Sequence, residues 1–596
     1  MKTRFFVLFV LILTTPFCLG LLPLSANIRY TVESATSSTW VATDSLGRSI
    51  AGYEQTSGIR DNRYVGLFFW NWHDYLGTET PYNNTLITNT FSTDVVKDIT
   101  HPAWGPQFAV HFWDKPLYGY YKNADQWVTR RQAEVLADVG VDVIFFDCTN
   151  SDFLFEYENV FKVFQKAYDD GVDVPKISFF LSYSSGVAQN EQLNTLYNNI
   201  FSQNKYMDLW FIYKGKPLII GPFSPESSSY LYNYFSFRQM HDTSPNGWTW
   251  TSHYPQKMAY WRDPETKVKT PEQMSVSVAR NSGIYDGNSY MSNYHSSIVT
   301  RNWSPKKNQY ETYDKAVCYG ANFADQFEYA IESDPEFIFI TGWNEWNAIR
   351  FQNQLYPLEN WFCDQFNYER SRDIEFSEGY LKDHYYYQMV DYIRKFKGCD
   401  IPPVSSPPKV IDISSQEDMW TNVSPEYIAY KENTFNRDSD GYGDLHYYNT
   451  TGRNDITSAK VARDSENIYF MVETKGNLSP RSDDAWMRLL IDVNNSDKNW
   501  ETFDYIVNRQ SPTDMATLER STGGWNWEIV GKIYYNINKN RLQIKIPKTM
   551  LGITGDEYTV NFKWSDNMQN DGDIMDFYIN GDVAPSGRFK YQFISK

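Results

Sequence analysis

Two carboxylates stand where an apolar run stops. Phe337-Ile-Phe-Ile-Thr341 carries no charge, Gly342 ends it, and Trp343-Asn344-Glu345-Trp346 follows at once. Val141-Asp-Val-Ile-Phe-Phe146 runs in the same way into Asp147. A carboxyl at the tip of a buried strand, beside indoles, is partly desolvated; that raises its pKa and suits it to proton transfer or nucleophilic attack. Two such groups facing each other are what cleavage of a glycosidic bond requires, at about 5–5.5 Å for retention and about 6.5–9.5 Å for inversion. Indole faces are also surfaces on which sugar rings lie. The structural alternative is a strand-end Glu345 paired with an arginine, its tryptophans part of the core, and Asp147 bonded into a polar rim.

The same pattern recurs along the first 400 residues. Polar and aromatic residues follow apolar runs at Trp70/Trp72/Asp74, Trp113/Asp114, Tyr183, Trp248/Trp250/His253, Arg280 and Trp343/Asn344/Trp346. The expected substrate-binding set is Trp70, Trp72, Trp113, Asp114, Trp250, His253, Trp343, Asn344 and Trp346, around Glu345 and Asp147 as the catalytic pair. Asp114 and Asp364 are further candidates for the second carboxyl. His73, His111 and His253 have no metal-ligand spacing and read as pocket or core histidines. No Gly-rich phosphate loop follows the first strand. Neither a metal nor a cofactor is expected.

These tips need a scaffold. Apolar strand runs at 64–70, 108–113, 141–146, 177–182, 209–213, 217–220, 248–250, 274–278 and 337–341 alternate with helical periodicity at 125–139, 155–170, 190–201, 322–333 and 380–396. Alternating strands and helices imply a parallel sheet covered on both faces. Ligand-type residues at the C-terminal tips favour a (β/α)8 barrel, whose single mouth those tips would ring.

Gly66-Leu-Phe-Phe-Trp-Asn-Trp72, Lys115-Pro-Leu-Tyr-Gly-Tyr120, Val139–Asp147, Lys214-Gly-Lys-Pro-Leu-Ile-Ile220 and Thr341-Gly-Trp-Asn-Glu-Trp346 together resemble the glycoside hydrolase family 99 and family 71 group of α-glycan hydrolases, over about residues 60–398. The resemblance implies that Glu345 is one catalytic carboxylate. The family's second Glu falls three residues later, where this chain has Ala348, so that role does not carry over. Either another carboxylate serves, or hydrolysis is lost and a glycan-binding protein remains. The charged run Ser371-Arg-Asp-Ile-Glu375 offers substitutes; the competing reading is an Arg372–carboxylate clamp pinning a loop over the barrel.

Pro/Ser-rich residues 399–409 read as a spacer between a hydrolase-like domain at 27–398 and a second domain at 410–596. The second domain shows only short turn-separated strands, the text of an all-β sandwich. Tyr469–Glu473, Leu489–Asp492 and Trp564–Asn567 resemble a family 9-type carbohydrate-binding module. Asp492-Val-Asn-Asn-Ser-Asp497 offers oxygen ligands for a structural calcium but lacks the EF-hand glycine and glutamate, which favours a polar turn.

Residues 1–26 carry Lys2 and Arg4 before a short apolar run, as a secretory signal peptide does. No other run is long enough to span a bilayer, so an exported, soluble protein is expected. A net charge of −18 argues against nucleic acid and anionic membranes as partners and leaves a neutral glycan. A Cys363–Cys399 bridge is open, as is glycosylation at Asn83, Asn302, Asn422, Asn449, Asn477 and Asn494.

Overall fold

The computed structural model describes residues 34–73, 80–150, 157–223, 229–240, 247–279, 291–292, 300–352, 359–363, 365–494 and 496–596. Residues 1–26, expected to be a signal peptide, and Asp74, Arg280 and Asp364 lie outside that set. Among the described residues no helix is long and apolar enough to cross a membrane.

In the first part the elements are β1 (Tyr64–Phe69), β2 (Val110–Phe112), α1 (Gln126–Val139), β3 (Val143–Asp147), α2 (Tyr157–Asp169), β4 (Lys176–Phe180), α3 (Gly186–Leu196), β5 (Lys216–Gly221), β6 (Ser236–Gln239), β7 (Lys269–Val276), α4 (Ala321–Ser333), β8 (Phe337–Ile340), β9 (Asn347–Gln352) and α5 (His384–Lys397). Local chemistry sets their ends. The Asp125 side chain caps α1 by accepting from Trp127 N and Val128 N, and Gly140 closes it in the left-handed region at φ 81°. Seven strands pair in parallel in the order β7-β8-β1-β3-β4-β5-β6. Alternate side chains of this curled sheet fill its interior, with Phe68, Phe145, Phe180, Phe337 and Phe339 packed around Trp248. Gly66 has to lack a side chain: a Cβ there would stand 2.6 Å from the Phe145 ring and 2.7 Å from that of Phe337.

Among the described residues the strand ladder does not close into a (β/α)8 barrel. Between β6 and β7 lies the segment 247–250, joined to β6 by a single parallel bridge, Met240 to Trp248. No helix precedes it among the described residues. Side chains complete the join to β7. Gln273 accepts from Thr249 N at 2.9 Å and donates to Thr249 O at 2.8 Å, so one amide stands in for a pair of ladder bonds. Glu272, 2% exposed, accepts from Trp248 Nε1 and from Arg238 of β6, each at 2.8 Å, and from Tyr213. Beyond β7 the ladder ends in an antiparallel strand, Ala259–Arg262, and the segment 247–250 is held between β6 and β7 through buried side chains.

The run at 108–113 also departs from expectation. β2 belongs to a separate small sheet, pairing with Tyr82–Asn83 and antiparallel to β9, while β1 and β3 pair directly.

Residues 404–596 are rich in strands, and among the described residues there the helices are short 3-10 turns. Two sheets are joined by the long strand Asn526–Asn538, which pairs with Ala516–Gly523 on one side and Arg541–Pro547 on the other. The Pro/Ser-rich segment lies against this half: Ser405 N bonds Ile594 O and Lys409 N bonds Arg463 O. The chain's start joins it too, since Ser34–Ala35 pairs with Glu426–Ile428 and Trp40 packs edge-on to Phe589 and Tyr591. Asp492, first residue of the run considered for calcium, gives its carboxylate to Lys590 at 2.7 Å; among the described residues no group of ligands could hold a metal ion. Asn495, within that run, is outside the described set. Cys399 is a free, buried thiol whose Sγ lies 3.8 Å from the Ala51 carbonyl oxygen, and the Cys363 side chain is outside the described set.

The two halves share buried polar contacts. Arg588 donates to Asp383 at 2.6 Å, with side chains only 2% and 0% exposed, and its backbone N–H donates to Tyr387. Asp138 on α1 accepts from Tyr430 at 2.8 Å and from Ser586. Cleavage within 399–409 should accordingly leave two fragments that elute together in size-exclusion chromatography; separate elution would contradict this interface. Arg588→Ala strands a buried carboxylate and should cost about 3–5 kcal/mol in denaturant unfolding.

Asp138 supplies a pH signature. Burial pushes its carboxyl from 3.8 up to about 7. The folded chain thus holds this proton more tightly than the unfolded chain, and the group's contribution to stability falls as pH rises from about 4 to about 7, then levels off. Asp138→Asn removes the dependence, so the Tm of the variant relative to wild type should climb over that window. A constant difference would exclude the linkage.

Candidate functional site

Strand order decides which tips meet. β8, β1 and β3 are consecutive neighbours, so Glu345, Trp70 with Trp72, and Asp147 emerge side by side. At about 4.8 Å per strand, the tips of β8 and β3 are about 10 Å apart. Trp72 links the middle to one end: its ring stacks on Trp70 at 3.9 Å between centroids, and its Nε1 donates to Asp147 Oδ2 at 3.0 Å. Asp147 Oδ1 accepts from both Thr149 N (2.9 Å) and Thr149 Oγ1 (2.7 Å). Each of these three groups donates to the Asp147 carboxyl.

Glu345 is only 3% exposed. Its Oε2 receives Arg372 Nη2 at 2.8 Å and Gln365 Nε2 at 3.3 Å. The Arg372 guanidinium also lies over the Trp250 ring, 4.5 Å from its centroid, and Trp250 stacks on Phe68 from the sheet interior. One cation thereby ties the tip of β8, the segment filling the sheet gap, and the loop 365–375. Gln365 Nε2 also donates to Asp373 Oδ2 at 2.7 Å, and Asp373 Oδ1 accepts from Glu345 N at 2.9 Å. The shared amide keeps the two carboxyls no further apart than its two bonds reach. Burial pushes Asp373 up to about 7. Gly342 permits this closeness, because a Cβ there would stand 2.7 Å from Arg372 O and 2.8 Å from Asp373 Oδ1.

The other expected site residues divide by exposure. Trp72, Trp250 and His253 are half-buried at the strand tips. Trp113, Trp343 and Trp346, at 1%, 0% and 0% exposed, present no face to solvent. Trp113 stacks on Trp346 at 4.3 Å, and Trp346 Nε1 donates to the buried Glu375, which also accepts from Tyr121 and Gln132. The β2–β9 pairing brings Trp113 and Trp346 together, and Trp343 packs against Phe376 and Tyr386. Asn344 serves the backbone: its amide accepts from Trp70 N and donates to Trp70 O. Asp114 sits beyond this stack, where burial pushes its carboxyl up to about 6 while Lys115 N and Asn83 hold one oxygen. His73 and His111 are buried and hydrogen-bonded, and burial lowers them to about 4 and about 3.

Ala348, where a second glutamate was expected, faces an apolar cluster with Ile87, Val95, Phe362 and Phe366. A carboxylate there would be buried among hydrocarbon. The residues that sequence reasoning did not single out are Gln365 and Asp373. Asp373 lay in the charged run that signalled a clamp; Gln365 carried no signal, since its role comes from loop packing.

No protein-family model matches the chain, and no curated relative does. Among solved structures, two of the GH99 endo-alpha-mannosidase from Bacteroides thetaiotaomicron are similar at 13% identity, with TM-scores of 0.32 and 0.31. They cover 56% and 57% of this chain and 97% and 99% of theirs. A bacterial fucosidase is similar at 11% identity and TM-score 0.22, over 85% of this chain and 95% of that one. Similarity of this order carries no argument about chemistry, which rests on the geometry above.

Proposed function

We propose that the chain is an exported glycoside hydrolase acting on a polysaccharide or glycan, with α-linked glycans the first class to test and the β-rich half holding it on substrate. The observation that supports this reading is the row Glu345, Trp70/Trp72, Asp147 along three adjacent strand tips. It sets Glu345 and Asp147 beyond the ends of two strands about 10 Å apart, with Trp70 and Trp72 following the strand between them and Trp250 alongside. Side chains reaching inward across that span come into the separation used for inversion. Glu345, which accepts from Arg372 and Gln365, takes the part of base or nucleophile. The proton for the leaving oxygen has to come from the other carboxyl once the sugar displaces one of its donors.

A second reading is favoured by one observation. Glu345 and Arg372 are 3% and 4% exposed at the side chain and pair at 2.8 Å, as a structural clamp would. In that case the chain binds glycan without cleaving it.

Reducing-sugar release from a panel of α- and β-glycans separates the two readings. Under the hydrolase reading Glu345→Gln lowers turnover on the order of a hundredfold, and Asp147→Asn also lowers it. Under the clamp reading no glycan is cleaved, and Glu345→Gln costs about 3–5 kcal/mol of stability through the stranded Arg372. Turnover that survives Glu345→Gln would remove this residue from the mechanism.

A further inference from the structure

One hairpin of the β-rich half has two unlike faces. Arg437–Asp440 pairs antiparallel with His446–Asn449, with Arg437 opposite Asn449 and Ser439 opposite Tyr447. Alternation along the strands puts Asp438 and Asp440 on one face, where they bond the exposed His446 at 2.7 and 3.0 Å, and Arg437 and Tyr447 on the other.

The second face grips the first half of the chain. Arg437, 6% exposed, pairs with Asp125 at 2.7 Å and donates to Tyr118 O at 2.9 Å. Its guanidinium lies 4.4 Å from the Tyr447 ring centroid. The Tyr447 hydroxyl accepts from Tyr120 N at 2.7 Å, and Tyr120 O accepts from Tyr442 N at 2.7 Å. Both backbone groups of Tyr120 are thus bonded to the hairpin. Gly119 and Gly441 leave room for the Tyr447 ring, since a Cβ at either would run into it.

The gripped residues lead to the strand tips. Tyr121 donates to Glu375 Oε2 at 2.7 Å, and Gln132 donates to Glu375 Oε1 at 2.6 Å. Leu117 N donates to Phe376 O at 2.8 Å and Glu378 N to Lys115 O at 2.9 Å, so 115–121 is zipped along 375–378. Ile374 N and Glu375 N both donate to Trp343 O, at 3.0 and 2.9 Å. Immediately before them stand Arg372, paired with the Glu345 carboxyl, and Asp373, which accepts from Glu345 N.

We infer that the hairpin Arg437–Asn449 is a positioning element of the strand-tip site: Arg437 and Tyr447 fix residues 118–121, and these fix the loop that sets Arg372 and Asp373 on Glu345. It rests on the reading of Glu345 as the working carboxylate. Neither Arg437 nor Tyr447 touches the reacting atoms; both act through Tyr121 and Glu375. The β-rich half thereby shapes the mouth through the protein, besides any hold it has on glycan.

The test compares wild type, Tyr447→Phe and Tyr427→Phe by hydrogen–deuterium exchange and by hydrolysis. Tyr447→Phe removes one hydroxyl and leaves Tyr120 N without its acceptor. Tyr427→Phe is the control, because it removes a hydroxyl bonded to Gln592 O at 2.9 Å inside the β-rich half. Tyr447→Phe should speed exchange of amides 343–346 and 372–378 about fivefold, whereas Tyr427→Phe should leave them at wild-type rates. On a glycan that wild type cleaves, Tyr447→Phe should lower kcat about fivefold at unchanged KM, with no further effect in a Tyr121→Phe background. Faster exchange confined to 118–121 and the hairpin would overturn the inference, as would equal exchange in the two variants or an unchanged kcat. If wild type cleaves no glycan, the hydrolase reading falls, and exchange alone decides whether the hairpin sets the loop.

Discussion

A curled parallel sheet must cover its edges, and in this chain β7 does so by pairing antiparallel with Ala259–Arg262, β6 through the bridge from Met240 to Trp248, and buried side chains tie the two together. Glu272 and Gln273 grip Trp248 and Thr249, holding the segment 247–250 between β6 and β7. Buried polar groups tolerate this only when each is matched, and here the carboxylate takes donors from three directions. The consequence reaches the mouth. Trp250 is fixed two residues beyond Trp248, its ring lies against Phe68, and Arg372 is seated on it.

From that seat Arg372 organises the strand ends. It neutralises Glu345, while Gln365 distributes one amide between Glu345 and Asp373. Charge, burial and stacking are therefore solved together: no carboxylate in the cluster lacks a donor, and the cation lies over an aromatic face rather than in water. A site of this kind is rigid before ligand arrives, which suits recognition and chemistry alike. It also means that the same ion pair that orients Glu345 shields it.

Much of the scaffold was legible from local text. The apolar runs of β1, β3, β4 and β8 and the periodicity of α1, α2, α4 and α5 lie close to where the sequence puts them, because burial on both faces and 3.6-residue spacing leave clear marks. The all-β text beyond residue 410 corresponds to a strand-rich half. What escaped depends on partners distant in the chain. The run at 108–113 has strand character, yet nothing local says that its neighbour is β9 rather than β1. The tryptophans at 113, 343 and 346 look like sugar platforms from composition, but the pairing of β2 with β9 stacks Trp113 on Trp346, and Trp343 packs against Phe376 and Tyr386. Gln365 bears no sign of its role at all, whereas the charge density of 371–375 did announce a clamp, since Arg372 could not be buried unpaired.

The central claim is that ligand is met at the tips of β8, β1 and β3. A crystal structure of the chain with an oligosaccharide drawn from a glycan that it binds tests this most directly. The account predicts a sugar ring over Trp72 and Trp250, between Glu345 and Asp147, with a ligand hydroxyl replacing one donor on a carboxylate. Sugar found only on the β-rich half, with the Glu345–Arg372 pair closed and the strand tips empty at saturating ligand, would contradict it.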